Sequence, residues 1–131
     1  MRVCVSASAD TLEAPVDPRF GRCHYFIIVN TENMSFEAIP NMASETIGGA
    51  GIQAAQLIVS KGVKAIITGN IGPNALQALL SAEVKVYVGA SGTVREAIEK
   101  YMRGELREVG ASMASGYFGM NIGWQRDFGR R

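Results

Sequence analysis

Near residue 50 the hydrophobic pattern of this chain changes its period, and that change limits the fold more than any other feature. Before it, apolar residues form short runs or alternate with polar ones; after it, they recur at helical spacing between short apolar strands. Arg2 to Ser6 and His24 to Asn30 read as strands, joined by a long loop in which Asp10 to Gly21 carries Pro15, Pro18 and Gly21. The polar stretch Asn30 to Ser35 has the composition of a hairpin turn, and Met34 to Pro40 alternates as an edge strand does. These three strands are expected to form an antiparallel meander.

Past the glycine-rich connection, Ile52, Ala55, Gln56, Leu57 and Val59 mark a helix that Gly62 closes. Val63 to Thr68 is an apolar strand, and Pro73 sits near the first turn of a second helix. Val84 to Val88 is a fifth strand, and Thr93 to Met102 a third helix with Thr93 or Ser91 as its cap. Strand and helix in alternation require parallel pairing through right-handed crossovers. The expected fold is therefore α/β: a five-stranded mixed sheet in the order 3-2-1-4-5 with three helices, the arrangement of a ribonuclease H-like motif. This order brings loops 7–22, 41–51, 69–74 and 89–93 to one rim, where all three helices also begin. Helix N-termini offer unpaired N–H groups and partial positive charge, so the rim is suited to an anion.

With 131 residues and 47% hydrophobic composition, the chain has the size of one domain with a real core. The reading divides it into a folded region, 1–105, and a Gly-rich, mobile tail, 106–131, with a segment that orders on a partner as the alternative; Glu105 to Val109 has the pattern of one more short strand. Thirteen Lys and Arg against twelve Asp and Glu, scattered along the chain, lack the footprint of a nucleic-acid binder. No apolar run approaches membrane-spanning length, and the start carries no signal-peptide pattern, so a cytoplasmic protein without membrane contact is expected. Its two cysteines are then free thiols.

Cys23 adjoins His24, the only histidine, at the predicted start of the second strand. Strand alternation sends the two side chains to opposite faces, so a shared metal needs a bulge or a loop there. A packed thiol with a hydrogen-bonded imidazole and a pair of metal ligands stand at even odds on spacing; the rim position favours ligands. Cys4, in mid-strand, reads as a small buried hydrophobe. Gly49-Ala50-Gly51-Ile52-Gln53-Ala54 matches G-x-G-x-x-A, yet no ribose-binding acid follows at the required distance. It is either a turn of close backbone approach or an anion cradle, and Gly69 to Ala75, with Asn70 and Gly72, offers the same two readings. Asp17, Arg19 and Arg22 read as a solvated loop with a local salt bridge. No acid–base constellation marks the chain as an enzyme.

Residues 17–29, DPRFGRCHYFIIV, and the long stretch GGAGIQAAQLIVSKGVKAIITGNIGPNALQALLSAEVKVYVG resemble the dinitrogenase iron-molybdenum cofactor biosynthesis family, nitrogenase accessory factors and their relatives, to about residue 105. The resemblance implies a ribonuclease H-like fold and non-catalytic binding of an iron-sulfur-type cluster or iron-molybdenum cofactor precursor, with metallocluster donor or acceptor proteins as partners. Where nitrogenase-linked members carry a histidine before Phe-Gly, this chain has Arg19, which pairs with anions and cannot ligate iron. The metal ligands expected on this basis are Cys23 and His24, with Arg19, Gly49, Gly51, Asn70 and Gly72 around the cofactor. Replacing a rim cysteine is expected to leave the thermal midpoint within a few degrees. The competing class is a regulatory or scaffold module that binds a small anion or a protein without metal. The oligomeric state is not derivable from the sequence.

Overall fold

The computed structural model of the protein describes residues 1–42 and 49–109. Six strands, β1 (Arg2–Ala7), β2 (Tyr25–Asn30), β3 (Phe36–Pro40), β4 (Ala65–Ile67), β5 (Lys85–Val88) and β6 (Arg107–Val109), form one sheet in the order β3-β2-β1-β4-β5-β6. The meander β1-β2-β3 is antiparallel, β1-β4 and β4-β5 pair in parallel, and β6 returns antiparallel to β5. The expected mixed sheet is present with a sixth strand at its edge. Residues 107–109 thus join the sheet; residues 110–131, with the expected mobility of the tail, lie outside the described residues.

Three helices, α1 (Ala50–Ser60), α2 (Pro73–Ser81) and α3 (Val94–Met102), cover the sheet on both faces. Alternate residues of β1 explain the layering. Cys4 packs with Phe26, Ile28, Ile58, Ile66 and Leu79 under α1 and α2, while Val3, Val5 and Ala7 pack with Ile27, Ile67, Val94 and Ile98 under α3. A central strand buried on both faces reads as a largely apolar run, as β1 does; β3, at the edge, is exposed or half-buried along its length. The helices bury stripes at i, i+4 spacing: Ala50, Ala54 and Ile58 in α1, Ala75 and Leu79 in α2, Val94 and Ile98 in α3. Gly62, at φ 73°, ends α1 in the left-handed conformation that makes glycine the natural stop.

Register places the end of β1 beside the start of β2 (Ala7 opposite Tyr25), which faces the end of β3 (Pro40). Val5, Ile67 and Tyr87 align at the outgoing ends of β1, β4 and β5. One rim therefore collects the described parts of all four expected loops, and hydrogen bonds join them: Val16 N–H to Gly92 O at 2.8 Å, and Phe20 N–H to Asn70 O at 3.2 Å.

Candidate functional site

The long loop after β1 is pinned over the rim by polar residues at the outgoing ends of the strands. Ser6 donates its hydroxyl to the Asp17 carbonyl at 2.7 Å and lies 2.7 Å from the Thr68 hydroxyl; both hydroxyls are buried. With the one Ser6 proton used on Asp17, Thr68 is the donor between them. The Asp17 backbone N–H returns to Ser6 O at 2.9 Å. Its side chain is buried, and Oδ1 accepts the Arg19 backbone N–H at 2.9 Å and Nε at 3.4 Å. The expected local salt bridge is there, but Asp17 is an internal anchor, not a solvated charge. It holds the base of Arg19 while 62% of the arginine side chain stays exposed.

Past Arg19 the chain makes its closest approaches. A Cβ on Gly21 would fall 2.9 Å from both Cα and N of Gly51, and one on Gly69 would fall 2.6 Å from Cα of Pro18. Only glycine lets these backbones meet. Two adjoining depressions result, of about 210 Å³ and about 420 Å³, sharing Phe20, Gly21, Gly72 and Pro73. Gly49, Gly51, Ile52, Asn74 and Ala75 complete one end, Arg19, Asn70 and Ile71 the other. Together they form a groove along the starts of α1 and α2.

Both helix starts on the groove lack a side-chain cap and an acidic residue in the first turn. Among the described residues, no side chain caps the first-turn N–H groups of Ala50, Gly51 and Ile52, or those of Asn74 and Ala75 behind Pro73. The third helix differs. Thr93 Oγ1 accepts Glu96 N–H at 3.1 Å and Glu96 Oε1 accepts Thr93 N–H at 2.9 Å, a complete capping box. Among the described residues, the starts of α1 and α2 carry no side-chain cap and that of α3 does.

Of the residues the sequence singles out, Arg19, Gly49, Gly51, Asn70 and Gly72 line the groove; Cys23 and His24 do not. Asn70 turns its side chain back on its own loop, Oδ1 accepting Ile71 N–H at 2.9 Å. Cys23 is fully buried with the α1/α2 core and donates S–H to the Phe20 carbonyl at 3.3 Å. Burial pushes its thiol up from 9.0 to about 12, and the Asp17 charge adds to this against hydrogen bonds from Ala7 and Asn41. Cys4 is also pushed well up, by burial first and then by Cys23, and the two are not bridged. His24 is exposed while Cys23 is buried, and both precede the first residue of β2. Among the described residues no three His, Cys, Asp or Glu side chains come together as a metal site.

Sequence reasoning missed Asn41. Its buried amide donates to Gly21 O at 3.1 Å and Cys23 O at 2.9 Å, bracketing the turn that walls the groove. An asparagine just past an alternating edge strand is ordinary loop composition, and only register places it opposite His24. Ser6 and Thr68 did carry a signal, as hydroxyls ending otherwise apolar strands.

Fold and groove together define a small α/β protein with a glycine-walled, anion-suited rim. A family model described as dinitrogenase iron-molybdenum cofactor matches residues 1–104, and the chain belongs to that family. The apo form of the orange protein from Desulfovibrio gigas superposes with a TM-score of 0.79 at 37% identity, over 81% of this chain and 90% of that one. A NifB-like protein from Thermotoga gives 0.72 at 40% identity, over 82% and 92%. A protein of Methanocaldococcus jannaschii, named as uncharacterized, is 36% identical over 96 residues, 71% of this chain and 81% of its own. Among the described residues no helix is long and apolar enough to cross a membrane.

Proposed function

We propose that this protein is a non-catalytic, cytoplasmic carrier that takes an anionic iron-sulfur-type cluster, or an iron-molybdenum cofactor precursor, on the groove and passes it to an acceptor protein. The observation that carries this reading is the convergence of two helix starts, without side-chain caps among the described residues, with Arg19 on one groove lined in part by glycines. Backbone N–H groups and a guanidinium hold a preformed polyanion by charge and hydrogen bonds, and few covalent ligands leave release possible. Membership of the family and its cofactor description support the choice of cargo. Cys23 is the soft ligand and His24 the second, on a condition the geometry sets: the Cys23 thiol must be uncovered and lose its proton before it bonds a metal.

Anaerobic reconstitution with iron and sulfide, followed by absorption spectra and metal analysis after desalting, tests the reading. The wild type is expected to retain iron, Arg19→Ala to retain severalfold less, and Cys23→Ala to lose most of it. If the wild type retains no iron, the carrier reading fails. If Cys23→Ala retains as much as the wild type, the metal-ligand role of Cys23 fails. One observation favours a second reading, a scaffold or regulatory module for a small anion: the groove offers charge and N–H groups while the thiol lies behind its wall. Inorganic phosphate or sulfate binding to a protein that takes up no iron would support that reading.

A further inference from the structure

Arg19 combines a fixed base with a free end. Its backbone N–H bonds Asp17 Oδ1 at 2.9 Å, the turn in which an aspartate side chain bonds its own backbone two residues on. Arg19 also forms a parallel bridge with Asn70, and the next N–H, that of Phe20, donates to Asn70 O at 3.2 Å. Pro18, on the other side, lies so close to Gly69 that a Cβ there would fall 2.6 Å from the proline Cα. Asp17 is in turn tied to the sheet by Ser6, whose hydroxyl bonds the Asp17 carbonyl and whose own carbonyl accepts the Asp17 N–H. The backbone of the arginine is thus set by β1 and by the loop after β4 before any ligand arrives.

The guanidinium divides its donors. Nε–H donates to Asp17 Oδ1 at 3.4 Å, and only 5% of the aspartate side chain is exposed, so little solvent competes for that oxygen. Among the described residues Nη1 and Nη2 have no partner, and the side chain they end lines the larger depression of the groove with Asn70, Ile71 and Gly72. With Nε engaged, the edge left to a ligand is the one between Nη1 and Nη2, which presents N–H groups side by side to two acceptor atoms of one group. The carboxylate beside the guanidinium also lowers what an anion gains from charge alone, so hydrogen-bond geometry carries more of the selection than at a bare cation.

We propose that the Arg19 end of the groove is a subsite for an oxyanion, a group with two or more oxygens on one atom, taken by the Nη1–Nη2 edge, with Asp17 as the residue that positions the arginine. The inference rests on the reading of the groove as an anion site and deepens it by naming the class of group; iron plays no part in it.

Formate and chloride carry the same charge and differ in shape, so comparing them on the iron-free full chain isolates geometry. Backbone amide shifts of Phe20, Gly21, Asn70 and Gly72 are followed by NMR during titration with each sodium salt at constant ionic strength. The wild type is expected to bind formate at least about fivefold tighter than chloride, and Arg19→Lys, which keeps the charge and loses the fork, to bind the two about equally. Asp17→Asn keeps an oxygen for the Arg19 N–H and removes the charge held against Nε. Its preference for formate is expected to fall at least about twofold while chloride binds no more weakly than in the wild type. A wild type without the preference, one that binds neither anion included, or an Arg19→Lys protein that keeps it in full, would overturn the subsite. An unchanged preference in folded Asp17→Asn would overturn the positioning role. Should that variant fail to fold, the heteronuclear NOE at Arg19 Nε of the wild type decides instead: a high, backbone-like value supports the role, and the low value of an unrestrained arginine rejects it. Iron retention is read separately. Retained iron without a formate preference leaves the carrier and removes this subsite, and a formate preference without retained iron does the opposite.

Discussion

Cys23 shows how one residue can satisfy two readings of its sequence context. It does stand at the ligand-suited rim, and its thiol is nonetheless fully buried in the core with Phe20, Phe26 and Ile58. The expectation that replacing it leaves the thermal midpoint within a few degrees holds for a surface change and is overturned here by burial. Cys23→Ala leaves a cavity of about a sulfur's volume and a Phe20 carbonyl without its S–H donor, which costs roughly 1–2 kcal/mol. A fall in thermal midpoint of roughly 5–10 °C is expected by calorimetry or circular dichroism. An unchanged midpoint would mean that the pocket around the thiol is already loose. Motif position was legible in the sequence; side-chain facing was not, because residue 23 precedes the regular strand and its orientation is set by the turn and by Asn41, eighteen residues away. Arg19, Gly49, Gly51, Asn70 and Gly72 were legible for a simpler reason: they lie on loops and helix starts that the topology sends to one rim.

At the scale of elements, the contrast between helix starts is the informative fact. α3 closes its own first turn with Thr93 and Glu96, while α1 and α2 begin on Gly49 and Gly72 without side-chain caps. Against a glycine N-cap a capping Ser, Thr or Asp is worth only about a few tenths of a kcal/mol, so leaving these starts without side-chain caps costs the fold little. Asn74→Asp separates stability from anion binding. A carboxylate in the first turn of α2 favours the helix by about 0.3–1 kcal/mol through its dipole, and on the groove wall it repels an anion. The variant is expected to melt at the same temperature or a few degrees higher while taking up severalfold less anionic cargo in reconstitution. Undiminished uptake by a folded Asn74→Asp protein would remove the helix starts from the site. Element positions were readable because Pro73 opens α2, Gly62 closes α1, and Thr93 was one of two cap candidates for α3, the one that Glu96 completes in the structure. The three-residue β6 is too short for periodicity to establish, and its place beside β5 comes from pairing.

For the whole molecule, the order β3-β2-β1-β4-β5 was legible because a meander leaves one edge of β1 free and right-handed crossovers fill it, while the same rule carries the described loops to one rim. What the order does not reveal is that the layer beneath that rim holds two protonated thiols, Cys4 and Cys23, inside one cooperative core. This ties global stability to alkaline pH. The folded state binds the Cys23 proton more tightly than the unfolded chain does, with a value of about 12 against 9.0. Its contribution is therefore complete below pH 9 and is lost as pH rises toward 12, because the unfolded thiol ionises first. Each pH unit in that window costs about 1.4 kcal/mol per thiol, so about 1.4 kcal/mol is lost at pH 10 from Cys23 alone. Cys4, also raised, acts in the same direction, as do Tyr87 and Tyr101, each raised by burial first. Urea unfolding followed from pH 8 to 11 is expected to show stability falling above pH 9. In Cys23→Ala, which starts lower, the fall should be shallower by about one proton, so the two curves converge as pH rises. Parallel curves for the two proteins would show that the buried Cys23 thiol is not the group whose ionisation the fold suppresses.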